Sequence, residues 1–100
     1  MFMISFASIG ELKSVLGFFG FADLNYVRRI DAGPDEELYL FADSECNEYG
    51  LWERDYMSKL KYEADFINDN FNIKIKEWLP TLDGEDAVEF RGDWFVFFRF

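Results

Sequence analysis

Residues 47–71 read NEYGLWERDYMSKLKYEADFINDNF, and how this stretch is read decides the fold. Tyr49, Trp52, Tyr56, Leu60, Ala64, Ile67 and Phe71 recur every three or four residues, the spacing that lines one face of an amphipathic helix. Asp55, Ser58, Lys61, Asp65 and Asp69 fall mostly on the opposite side. The pattern predicts one long helix from about Asn47 to Phe71, with Tyr62 and Phe66 four apart beside the core stripe as candidate contact residues.

On its N-terminal side, Leu24–Ile30 and Leu38–Ala42 are runs of branched and aromatic residues separated by a polar septet, residues 31–37, that contains Gly33-Pro34. This is turn chemistry and predicts a hairpin. Earlier still, Ser8 and Glu11 have the spacing of a capping box, in which each side chain accepts from the other residue's backbone amide. Ile9, Leu12, Val15, Leu16 and Phe19 then line one face of a short helix that Gly17 or Gly20 stops. Phe2–Ala7 reads as a first strand.

On the C-terminal side, Ile73–Trp78 alternates as a strand and residues 82–86 form a loop. Val88–Arg91 and Trp94–Phe100 are extended runs joined by the two-residue link Gly92-Asp93. The resulting order is β-α-β-β-α-β followed by a C-terminal hairpin. It predicts a single α+β domain over residues 1–100, a two-layer sandwich of ferredoxin-like order with both helices on one sheet face.

Composition narrows the chemistry. The chain has 100 residues, half of them hydrophobic and 21 % aromatic, which is enough apolar surface for one core. It lacks histidine, so imidazole bases, His-paired nucleophiles and His-containing zinc sites are excluded. Cys46 is the sole cysteine; no intrachain disulfide can form, and a small residue near a helix start is its expected role. No P-loop or dinucleotide fingerprint occurs. Asp65, Asn68, Asp69, Asn70 and Asn72, and likewise Asp83, Glu85 and Asp86, lack EF-hand spacing and are expected as a helix end and a solvated loop. Residues 91–98, RGDWFVFF, resemble the RNP1 element of RNA-recognition motifs in their Arg, Gly, Phe, Val and Phe. Asp93 and Trp94 break that pattern, and the run ends the chain instead of preceding a helix. The reading is of a non-enzyme without cofactor or metal, placed in the cytoplasm because neither a signal peptide nor an apolar span of ~18 residues is apparent.

Charge is the most informative feature. The formal net charge is -10. Residues 31–55 hold nine acids against Arg54, residues 83–93 hold five against Arg91, and the remainder is slightly basic. Such a field repels nucleic acid and anionic membranes and attracts a basic protein. Basic protein surfaces commonly serve nucleic-acid binding. The expected function is therefore an acidic, nucleic-acid-mimicking inhibitor that blocks such a surface on a nuclease or nucleic-acid-binding complex, of the anti-CRISPR, anti-restriction or immunity-protein type associated with phage and their hosts. Asp31, Asp35, Glu36, Glu37, Asp43, Glu45 and Glu48 are its candidate contact acids. Aromatic anchors would come from Tyr62, Phe66 and a sheet face. Phe95 and Phe97 point opposite to Trp94, Val96 and Phe98, so a one-sided helix layer leaves one aromatic set exposed. The alternative is a homodimeric adaptor that uses this face as its seam, with acids serving only solubility.

Overall fold

The computed structural model describes residues 7–33, 36–54 and 64–100. They form helix α1 (Ile9–Phe18), strands β1 (Asn25–Gly33), β2 (Glu36–Ala42) and β3 (Glu48–Arg54), helix α2 (Ala64–Phe71), and strands β4 (Glu77–Leu79), β5 (Val88–Phe90) and β6 (Asp93–Arg99). The fold is mixed α/β: six antiparallel strands in one sheet, with two helices.

The local signals around α1 act as expected. Glu11 N donates to Ser8 Oγ at 3.2 Å and Ser8 N to Glu11 Oε1 at 3.0 Å, which closes the capping box. The helix ends in a Schellman stop: Phe21 N donates to Leu16 O, Gly20 N donates to Gly17 O, and Gly20 takes φ +85°. Leu12, Val15, Leu16 and Phe19 are buried, but Ile9 is exposed. β1 and β2 pair as the expected hairpin. The strand predicted over Phe2–Ala7 lies, apart from Ala7, outside the described residues.

The long helix over residues 47–71 is not formed as predicted. Residues 48–54 are strand β3, paired with β2 on one side and β6 on the other. Only Ala64–Phe71 of that stretch is described as helix, and residues 55–63, including Tyr62, lie outside the description. Tyr49 and Trp52 satisfy a helical spacing, but the segment has two strand neighbours, and its other residues fit period two. Tyr49, Leu51 and Glu53 face α1, while Gly50, Trp52 and Arg54 face the other way, and every one is buried. Gly50 has a specific job there. The Phe98 ring lies where a Cβ at position 50 would stand.

The sheet runs β1-β2-β3-β6-β4, and β5 pairs the same outer side of β6 as β4. Leu79 is opposite Phe97 and Val88 opposite Phe95, so β4 and β5 act as one edge strand from which residues 80–87 loop out. β6 is thus an interior strand. Its turn with β5 is Arg91-Gly92, both at positive φ as a type I′ turn requires, one residue earlier than the Gly92-Asp93 link expected. Of the predicted strand Ile73–Trp78, only Glu77–Leu79 is paired.

These pairings do not reproduce the ferredoxin-like order, and the helices do not share a face. α1 covers a core of Tyr39, Phe41, Leu51, Phe95 and Phe97. Ile67 of α2, with Ile73, covers Leu38, Leu40, Trp52, Val96 and Phe98 on the other side. Both parities of the strands are apolar because both faces are covered. The exposed aromatic face expected from Phe95 and Phe97 is therefore absent: each is 0 % exposed, and both belong to the core under α1. Among the described residues no helix is long and apolar enough to cross a membrane.

Candidate protein-binding surface

The candidate acids divide between opposite ends of the sheet. Six residue steps separate Glu36 from Ala42 along β2, about 20 Å of strand. Asp31, Glu36 and Glu37 lie at the β1–β2 turn, whereas Asp43, Glu45 and Glu48 lie at or beside the β2–β3 turn. Asp35 lies outside the described residues. The single patch implied by sequence proximity is not formed, because a hairpin sends consecutive acids to its two ends.

At the first end the acids are largely structural. Asp31 Oδ1 accepts from Gly33 N at 2.9 Å. Glu36 meets Arg54 at 3.2 Å, and that guanidinium is itself buried and lies 4.4 Å from the centre of the Trp52 ring. Glu37 is buried 3.6 Å from Arg29; desolvation raises its pKa and Arg29 offsets part of the rise.

Beside them, under the N-terminus of α1, lies a network that sequence reading missed. Glu53 is fully buried, accepting from Tyr39 Oη at 2.6 Å and from Arg91 Nη2 at 2.8 Å. Arg91 also meets Glu11 at 2.8 Å, so the β5–β6 turn is tied to the capping box. Burial pushes the Glu53 carboxyl up to about 7; Asp93 adds to the rise, while the Tyr39 hydrogen bond and Arg91 oppose it. Desolvation, reinforced by Glu53, also raises the Tyr39 phenol. The signal available in sequence was the alternation of Glu53 with Leu51 and Tyr49, which the helical reading hid.

The other end differs. Asp43 organises the β2–β3 turn: its Oδ1 accepts from Glu45 N and Asn47 N at 2.9 Å, and its Oδ2 accepts from Asn47 Nδ2 at 2.9 Å and Tyr49 Oη at 3.3 Å. The Asn47 amide leads in holding the Asp43 carboxyl below its ordinary value. Cys46 sits in this turn at φ +64°, exposed, and not at a helix start. The turn presents Glu45 and Glu48 to solvent.

One contact joins the start of β3, beside this turn, to the residues that follow α1, and another joins the end of α1 to the 80–87 loop. Phe21 packs on Tyr49 with ring centroids 5.2 Å apart, and Leu82 N donates to Phe18 O at 2.9 Å. Segments 42–50 and 80–87 thereby each meet segment 17–24. Together the three carry Asp23, Asp43, Glu45, Glu48, Asp83, Glu85 and Asp86 and no Lys or Arg, which is seven of the chain's net ten negative charges. In the sheet, Arg99 stands opposite Tyr49, and its guanidinium is engaged by Glu77 at 3.6 Å. Comparison with known proteins gives no relative: no family model, curated protein or solved structure matches the chain.

Of the predicted aromatic anchors, Phe66 is 45 % exposed on α2, where it packs edge-on against Phe71. Phe18, at the end of α1, and Leu82, in the acidic loop that meets it, were not singled out from sequence. Their signal was a phenylalanine between glycine-rich neighbours and a lone leucine in a polar loop.

Proposed function

We propose that this protein is a non-catalytic acidic inhibitor that seats on a basic, nucleic-acid-binding surface of another protein, in the manner of anti-CRISPR, anti-restriction or immunity proteins. The observation that carries the reading is the gathering of seven carboxylates and no base from three separate segments around the C-terminal end of α1. Stability does not account for it. A helix C-terminus is the negative end of its dipole and favours cations, yet α1 has no basic residue in its last turn and is surrounded there by acids. Solubility needs charge but not its concentration at one end. Acids held in ordered loops can meet Lys and Arg through charge-assisted hydrogen bonds and speed encounter.

The test is capture of the partner from a native extract on immobilised protein at about 0.1 M and 1 M salt, between which the Debye length falls from ~10 Å to ~3 Å. A basic nucleic-acid-binding protein should be retained at low salt, released at high salt, and lost from the Glu45→Lys/Glu48→Lys variant. Retention of a neutral or acidic partner, indifferent to salt and to that variant, would overturn the reading.

A further inference from the structure

Two large apolar side chains lie exposed within the acidic end, Phe18 at 48 % and Leu82 at 75 %. Leu82 is not a loose loop tip. Its N–H is bound by Phe18 O, and the loop around it is closed by Thr81 N to Glu85 O at 2.8 Å, Gly84 N to Thr81 O at 2.9 Å and Glu85 N to Thr81 Oγ1 at 3.0 Å. Its side chain rests against Gly20, where a Cβ would stand 2.9 Å from Leu82 Cδ2. A leucine three-quarters exposed contributes little burial to folding, and the backbone entropy of the loop that presents it is already lost before any partner arrives. Its own loop carries Asp83, Glu85 and Asp86, and Glu45 and Glu48 lie in the turn next to Tyr49, which packs on Phe21 just after α1.

We infer that Phe18 and Leu82 are the apolar centre of the surface on which the partner docks, and that the occupant is a basic amphipathic helix of that partner. Its apolar stripe would lie on Phe18 and Leu82, and its flanking Lys and Arg would lie against the two acidic loops. An exposed apolar pair joined by a hydrogen bond and set among loops that carry only acids is the complement of such a helix. Interface energy concentrates in central apolar anchors, whereas charged rims set rate and orientation. This inference rests on the acidic-inhibitor reading and adds to it the residues that would carry affinity.

The test titrates the full chain, isotope-labelled for NMR, with two synthetic helical peptides of equal positive charge. One carries a leucine stripe flanked by lysines; in the other the leucines are alanines. The leucine peptide should bind at least tenfold tighter, with shifts at Phe18, Gly20 and Leu82 as well as in residues 43–48. Phe18→Ser and Leu82→Ser, each checked for retained fold by circular dichroism, should each cut that preference to less than threefold while leaving the weaker salt-sensitive binding of both peptides. Equal affinity of the native chain for the two peptides, or a preference that survives in both variants, overturns this inference alone. Failure of both peptides to bind at low salt overturns it together with the reading beneath it.

Discussion

The two ends of α1 sit in opposite electrostatic surroundings. At the N-terminal end, Glu11, Glu53 and Asp93 converge on Arg91, and Tyr39 closes the network inside the protein. At the C-terminal end, Glu45, Glu48, Asp83, Glu85 and Asp86 stand exposed in segments that hold no base. Acids of the first kind are structural: all three are paired with Arg91 and Glu53 is fully buried, so they are costly to disturb and already engaged. Acids of the second kind add little to folding and are free to meet something else. A net charge counted along the chain cannot separate the two kinds, and only the second bears on binding.

The largest expected effect tests the first kind. Arg91→Ala leaves Glu53 buried without its cation, and at pH 8, where the native carboxyl is ionised, breaking such a pair from one side typically costs ~3–5 kcal/mol. Chemical denaturation should show a loss of that order. A loss below about 1 kcal/mol would mean that the Glu53 network does not hold α1 to the sheet.

Next in size is pH. The folded-state pKa of Glu53, about 7, lies above its ordinary value of 4.5, so the native state holds this proton more tightly than the unfolded chain does. The group's contribution is complete below about pH 4.5 and is lost as pH rises through 7; the loss is on the order of 3 kcal/mol. Glu37, also raised, acts in the same direction. Glu11 and Asp43 are lowered, so their contributions fade as pH falls through their depressed folded values. Thermal stability should therefore peak between roughly pH 4 and 6 and decline toward pH 8. In Glu53→Gln most of that decline should vanish; if it persists unchanged, Glu53 is not its source.

What the sequence made legible follows the range of the interactions involved. The capping box, the Gly20 stop and the β1–β2 hairpin are settled by contacts within a few residues, and each was readable. β3 was misread because Tyr49 and Trp52 fit two periods at once, and β2 and β6, its neighbours on either side, decide between them. One local sign was available: Gly50, which costs ~1 kcal/mol in a helix interior, fits a strand crossed by the Phe98 ring. With β3 read as helix, the alternation that buries Glu53 and Arg54 on opposite faces was hidden, and Phe95 and Phe97 were expected on an exposed face. The acidic site suffered the same way. Glu45 and Glu48 were legible as members of an acidic run, but their association with Asp83, Glu85 and Asp86 depends on Phe18, Phe21, Tyr49 and Leu82 meeting across the fold.

A smaller effect separates the two acidic loops into frame and contact. Asp43→Ala removes the acceptor of four hydrogen bonds within the β2–β3 turn and should cost about 1 kcal/mol, since capping and turn side chains of this kind are worth roughly that. It should also weaken partner binding indirectly by loosening Glu45 and Glu48. The signature of that indirect route is increased amide exchange in residues 43–48 of the free protein, which Glu45→Gln should not show.

The smallest effect on folding carries the sharpest sign. Asp23, four residues past the cap of α1, and Asp83, next to the Leu82 whose N–H binds Phe18 O, lie near the negative end of α1's dipole in loops without a base, so each acid there is electrostatically unfavourable to the folded state. Asp23→Asn and Asp83→Asn should therefore raise stability by a few tenths of a kcal/mol at low ionic strength, the gain disappearing as salt screens it. The same substitutions should weaken binding to a basic partner and slow its association. Stabilisation joined to loss of binding identifies acids kept at the expense of the fold. If neutralising them instead destabilises the protein, the C-terminal end of α1 resembles its N-terminal end, and its carboxylates belong to the structure.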